Sequence, residues 1–289
     1  MAGQPADGPQ LTHGPGRARG GPAAAYRGPM GMPAVRVEVN GTAAAPAAVQ
    51  YLALVSYGHF TAMQVRDGRT RGLGLHLARL DAATRELFGT GLDGDLVRSH
   101  IRHALASDRD ASVRVIVFWP DGDAVPAVLV TIRPPGEMPA GPQRLMSAPY
   151  QRPAPHIKHI GGFEQTYYNR LAASRGFDGA LLVAPDGTIA EGAVTNIAFF
   201  DDTTVTWPDA PCLAGITMQL VEPRLARHGL PSRHAQVRLA DLPGCTGAFV
   251  TNSRGIAPVG RIDSTAIPVS PALMQTVHGV YDSVPWDLI

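Results

Sequence analysis

Lysine is almost missing from this chain. Of its 25 lysine and arginine residues, one is a lysine, Lys158, and the rest are arginines. Lysine normally ranks among the commonest residues. Cysteine is nearly as scarce: Cys212 and Cys245 stand far apart with no partner motif. The two could form a disulfide, but we read both as free buried thiols of a cytosolic protein. The 10 histidines show neither H-E-x-x-H nor zinc-type spacing, so no metal centre is expected. Long apolar runs are absent too. "ASVRVIVFW" and "AVPAVLVTI" are too short to span a bilayer, and no charged start followed by an apolar run marks a secretory signal. A formal net charge of +1 provides no global field for nucleic acid or anionic membrane. These absences point to a cytoplasmic chain whose partners are small molecules.

With 289 residues, 45% of them hydrophobic, the chain can build a large core in one or two domains. Residues 1–34 are rich in Gly, Pro and Ala and offer little apolar surface to bury. We expect a disordered tail there, or an over-long start with Met30 or Met32 as the real beginning. From 35 to 145 the pattern is α+β. "VRVEVNG" and "HFTAMQVRDG" alternate as strands into Asn-Gly and Asp-Gly turns. "LGLHLARLDAATRELFG" and "DLVRSHIRHALAS" have helical spacing, with Leu73, Leu77, Leu80 and Leu87 on one face and Gly89 as a stop. "SVRVIVFW" and "AVLVTIRP" are strands around an Asp-Gly turn. From 146 to 289 the order is a helix ending at Gly176, a hairpin and strand in "GALLVAPDGTIAEGAVTNIAFF", and a helix in "GITMQLVEPRLARHG". A strand-turn-strand in "GAFVTNSRGIAPVGRID" and a closing helix in "PALMQTVHGVY" follow. This β-rich half suggests a larger, barrel-like domain.

Arginine replaces lysine well as a surface charge but not as an amine nucleophile, because guanidinium stays protonated. Lysine forms Schiff bases with carbonyls, pyridoxal phosphate included. Composition alone leaves two readings of Lys158 open: a surviving surface charge, or an amine kept for imine chemistry. The second needs a carboxylate for the pyridine nitrogen and a cradle for the phosphate. Glu191 in "TIAEGAVTN" ends a strand beside small residues. Gly215, Ile216 and Thr217 open a helix, where free amides and the helix dipole favour an anion. Asn252 and Ser253 in "TNSRG" offer a second turn of amides and hydroxyls. Taken singly, each also fits a bland role: a solvated glutamate, a helix start, an ordinary turn.

Together, and in this order, "GLHLARL", "IKHIGGFEQ", "IAEGAVTNIAFF", "LAGIT" and "FVTNSRGIAPV" resemble the class IV aminotransferases. These are the fold-type IV pyridoxal-phosphate enzymes, which include branched-chain and D-amino-acid aminotransferases and aminodeoxychorismate lyase. The resemblance runs from about residue 36 to 270. It implies an α/β (α+β) fold of two domains with the cofactor between them, usually in a homodimer. It also implies that Lys158 carries the Schiff base and Glu191 meets the pyridine nitrogen. Arg79, Gly215, Ile216, Thr217, Asn252 and Ser253 would hold the phosphate, and Asn196 would support the site. The implied reaction moves an amino group from an amino acid or amine to a 2-oxo acid. The alternative is aminodeoxychorismate lyase, giving 4-aminobenzoate and pyruvate.

The chain departs from the family pattern at several positions. Phe163 stands where the aminotransferases often have a tyrosine five residues after the lysine; an aromatic there can still pack on the cofactor, without the hydrogen bond. Met218 replaces the usual arginine after "GIT", and Phe60-Thr61 replaces a Phe-Glu pair. "HFTAMQVRDG" and "KHIGGFEQ" look closer to the lyase branch. A substrate-carboxylate receptor is not evident: Arg144, Arg152 and Arg254 are candidates, each reading first as a surface charge.

Overall fold

Alternation builds the first sheet. The computed structural model describes residues 35–120 and 122–289; the expected tail at 1–34 and Asp121 of the Asp-Gly turn lie outside the described residues. Strands β1 (Arg36–Val39) and β2 (Thr42–Ala43) meet at the Asn40-Gly41 turn, both residues at positive φ. Then follow α1 (Pro46–Val55), β3 (His59–Val65), β4 (Arg69–Arg71), α2 (Leu73–Phe88), α3 (Gly94–Leu105), β5 (Ala111–Phe118) and β6 (Ala127–Arg133). The sheet order is β2-β1-β6-β5-β3, every neighbour antiparallel. One face carries Met63, Val65, Val113, Val115, Val130 and Ile132 and packs on Leu80 of α2 and Val97 and Ile101 of α3. Directly opposed residues share a face. The other face therefore carries the rows Phe60–Ile116–Leu129, Ala62–Arg114–Thr131 and Gln64–Ser112–Arg133. That face is polar in its last two rows, and it looks into the cavity described below.

The second sheet is mixed. Its elements are β7 (Gln143–Pro149), α4 (Phe163–Ser174), β8 (Gly179–Val183), β9 (Ile189–Gly192), β10 (Asn196–Phe200), β11 (Val205–Pro208), α5 (Ile216–Leu225), β12 (Ser232–Ala235), β13 (Gly247–Asn252), β14 (Gly255–Ile262) and β15 (Thr265–Ala266). Helix α6 (Pro271–Asp282) and strand β16 (Trp286–Leu288) complete the chain. The order β12-β11-β10-β13-β14-β7-β8-β9 curves into a half-barrel, with β15 added on β14. Leu181, Ile189, Ile197, Phe199 and Val250 fill one side. Ala198, Trp207 and Phe249 face the other way, against Val221 and Leu225 of α5 and Val277 and Val280 of α6.

The last strand returns to the first sheet's side of the molecule. β16 pairs antiparallel with β4. The Arg71 guanidinium lies 4.3 Å from the Tyr281 ring centroid and 4.4 Å from that of Trp286. The Asp287 carboxylate accepts the Leu73 N–H at 2.8 Å, and Ile289 enters the first hydrophobic core. Among the described residues, no helix is long and apolar enough to cross a membrane, and no three or more His, Cys, Asp or Glu side chains are grouped to hold a metal ion. Cys212 and Cys245 are free and half-buried.

Candidate active site

A cavity of about 430 Å3 opens between the polar face of the first sheet and the β9, β10, β13 and α5 ends of the second. Lys158 reaches it from the loop between β7 and α4. That loop is tied to the first sheet by backbone: Phe60 N–H donates to Lys158 C=O at 2.8 Å, and Ile160 N–H to Gly58 C=O at 3.0 Å. Lys158 Nζ lies 4.9 Å from the Phe60 ring centroid. Burial, then the charges of Arg79 and Arg152, lower its pKa to about 7, with Glu191 partly opposing them.

Glu191 sits in β9, opposite Leu182, and is 4% exposed. Its Oε1 is 3.4 Å from Arg152 Nη1, and its Oε2 accepts the Leu213 N–H at 3.2 Å. Burial raises its pKa, against the pull of Arg152 and that backbone bond. Arg152 corrects the sequence reading. It is no surface charge: it is 8% exposed, and its Nη2 donates to Ile157 C=O at 2.7 Å. The proline-flanked "QRPAP" looks like an exposed loop, so only the tertiary fold reveals Arg152 as the counter-charge of Glu191. Arg144 is the surface charge expected, forked onto Asp178 at 2.9 Å through Nε and Nη2. Arg254 is exposed at the cavity wall.

Helix α2 delivers Arg79, whose Nη2 donates to Ala214 C=O. Burial and the Arg152 charge lower its pKa to about 10, so it remains a cation near neutrality. One turn earlier, His76 Nδ1 lies 2.6 Å from Thr61 Oγ1. Burial lowers its pKa to about 3, which leaves a neutral imidazole in the cavity wall.

The peptide of Leu213 joins two of the candidate residues. Its N–H goes to Glu191, and its C=O accepts from Asn196 Nδ2 at 2.7 Å. This fixes the turn that leads into α5. A Cβ on Gly215 would lie 1.9 Å from Asn196 Oδ1, so only glycine fits there. Beyond it α5 starts without a side-chain cap, leaving the amides of its first turn available. Thr217 Oγ1 donates to Asn252 C=O at 2.7 Å, and Asn252 Oδ1 accepts the Arg254 N–H at 2.8 Å, which shapes the turn carrying Ser253. Thr251 Oγ1 is buried at the cavity and has no partner among the described residues. The structure thus brings Lys158, Glu191, Arg79, Asn196, Gly215, Ile216, Thr217, Asn252 and Ser253 to one cavity. Phe163 does not join them: it opens α4, is 74% exposed, and stacks on Tyr167 at 6.1 Å between centroids.

The model of the amino-transferase class IV family matches residues 58–262, and the chain belongs to that family. A curated relative is the "Probable branched-chain-amino-acid aminotransferase" of Rickettsia felis, 37% identical over 94 residues. That match spans 32% of this chain and 32% of that protein. Among solved structures, a hypothetical aminotransferase from Mycobacterium tuberculosis in its PLP-bound form has a TM-score of 0.74 at 21% identity, covering 86% of this chain and 97% of that one. A Legionella pneumophila protein that carries a 4-amino-4-deoxychorismate lyase name has a TM-score of 0.72 at 17% identity, covering 80% and 92%. The fold is that of the fold-type IV enzymes.

Proposed function

We propose that the chain is a pyridoxal-phosphate-dependent aminotransferase that moves an amino group from an amino acid or amine to a 2-oxo acid. One observation carries this reading. The chain's single lysine stands in the cavity with its amine near neutrality, in the electrostatic reach of a buried carboxylate. The cavity also fits the cofactor. The uncapped start of α5 and the unpartnered Thr251 hydroxyl suit a phosphate. When bound, pyridoxal phosphate supplies an aldehyde that captures amines and a ring that draws electrons from the substrate's α-carbon.

Lys158 would hold the cofactor, Glu191 its ring nitrogen, and Arg79, Ile216, Thr217, Asn252 and Ser253 its phosphate. Asn196 acts through Leu213, keeping Glu191 and the α5 turn in register. With a pKa of about 7, Lys158 Nζ is unprotonated in much of the population at neutral pH. It can then take the proton from the substrate's α-carbon and return it. Arg152 and the Leu213 N–H favour the Glu191 anion, against the burial that raises its pKa. The same reading places the working form as a cytoplasmic homodimer.

The test compares wild type with Lys158→Ala after loading with pyridoxal phosphate and removal of the excess. Wild type should show a visible band that borohydride fixes covalently, and the variant should not. A colourless wild type would sink the proposal. The loaded enzyme should then consume an amino donor only when a 2-oxo acid is present. Release of pyruvate from aminodeoxychorismate with no acceptor would mark a lyase instead.

A further inference from the structure

Two histidine–threonine pairs join β3 to α2, and the protons on them can be traced. In the first, Thr84 Oγ1 donates to Leu80 C=O at 2.8 Å, so its oxygen accepts from His59 Nε2 at 3.0 Å. His59 Nδ1 is left as a bare lone pair, buried and without a partner among the described residues. In the second, Thr61 Oγ1 lies 2.6 Å from His76 Nδ1. Thr61 is fully buried, and its hydroxyl has no other partner among the described residues. A buried donor without an acceptor is rarer and costlier than an oxygen with a spare lone pair. Thr61 therefore donates, Nδ1 accepts, and the single proton of the neutral His76 ring sits on Nε2. The departure from the family pattern at position 61 decides this polarity. A glutamate there would only accept, and would draw the ring proton to Nδ1.

The Nε2–H of His76 has no acceptor among the described residues, although the side chain is 3% exposed and lines the cavity. Its place on α2 shows what it faces. Gly72, His76 and Arg79 share one face of the helix. Gly72 lies against the first turns of α5: a Cβ there would stand 3.2 Å from Ile216 Cγ2 and 3.1 Å from Leu220 Cδ1. Arg79 Nη2 donates to Ala214 C=O, just before that helix. His76 sits between these two contacts and so looks toward the uncapped start of α5.

We propose that His76 is an uncharged phosphate ligand, whose Nε2–H donates to the phosphate group of pyridoxal phosphate at the start of α5, beside Arg79. This rests on the reading of the cavity as a pyridoxal-phosphate site. Six arginines already line it. A neutral ring adds a directed bond to an anion without adding to their mutual repulsion. Burial, then the charges of Arg79 and Lys158, keep the ring neutral.

The experiment titrates cofactor-free protein with pyridoxal phosphate and with pyridoxal, which lacks the phosphate, and follows the visible band. Asparagine at 76 can keep the Thr61 bond but not reach the position of Nε2; glutamine can place an N–H there. His76→Asn should weaken pyridoxal phosphate binding about tenfold or more, the scale of a hydrogen bond to a charged group, and leave pyridoxal within about threefold. His76→Gln should return pyridoxal phosphate to within about threefold of wild type. Equal losses for the two ligands, or full retention of pyridoxal phosphate by His76→Asn, would overturn the proposal. Nitrogen-15 NMR of loaded wild type, labelled in histidine, gives a reading that needs no variant: His76 should be protonated at Nε2 and bare at Nδ1, and the reverse would also overturn it. Each of these failures leaves the band, and with it the aminotransferase reading, in place. A wild type without the band would remove both.

Discussion

A primary amine set among guanidinium groups is hard to charge, and that has a consequence for stability at Lys158. Its ordinary pKa of 10.5 falls to about 7 on folding. Below pH 7 both states hold the proton, and the folded state bears the full penalty. Between about 7 and 10.5 the unfolded chain binds more protons, so stability rises with pH, and above that window the penalty is gone. Lys158→Met should therefore raise the Tm of the cofactor-free protein at pH 6. The gain should shrink as melts are repeated toward pH 10, and a constant gain would contradict the lowered pKa. Lys158 was legible in the sequence because a composition bias isolated it. Glu191, Arg79 and Asn252 were legible through motifs that need particular side chains at short spacing. Arg152 was not, because its partner lies 39 positions away in another strand and no local pattern encodes that pairing. Arg114 and Arg133 were silent for a related reason: alternation says that they share a face, but only the assembled fold says that the face lines a cavity.

Two helix-associated glycines separate a required absence of side chain from an incidental one. At Gly215 an added Cβ must displace the Asn196 carboxamide and with it the 2.7 Å bond to Leu213. Gly215→Ala should lower stability by about 1–3 kcal/mol, as overpacking of a tight site does, and weaken pyridoxal-phosphate binding. Gly74 in α2 meets nothing within 4 Å, and Gly74→Ala should stabilise by about 0.5–1 kcal/mol through helix propensity. Denaturant titrations of the two variants against wild type check both signs. Helix ends were readable where glycine stops them, as at Gly89, whose φ is 70°. Helix α1 was not read. Its start at Ala45 has no side-chain cap and none of its residues is buried, which left Pro46 at its first position as the one start signal.

At the scale of the molecule, residues 286–289 join what the chain lays down first to what it lays down last. β16 pairs with β4, Arg98 Nη2 donates to Leu288 C=O at 2.8 Å, and Ile289 fills the first core. Trp286→Ala combined with Ile289→Ala should cost about 3–5 kcal/mol or more, as removal of large apolar side chains does. Because β4 leads directly into α2, the loss should also loosen the cofactor; thermal melts and a cofactor titration would read both, and an unchanged pair of values would refute the link. The sequence motifs placed the candidate site residues in order but said nothing of this closure, since a three-residue strand without alternation carries no recognisable period. The Asp287 carboxylate also has a bearing on synthesis. It reaches back 214 residues to the first amide of the helix that presents Arg79. At about 5–20 residues per second on the ribosome, the helix waits roughly 10–40 s for that cap. Until then the nascent chain holds Arg79, the proposed phosphate ligand, on an unanchored element, and a partly made chain should compete poorly for pyridoxal phosphate.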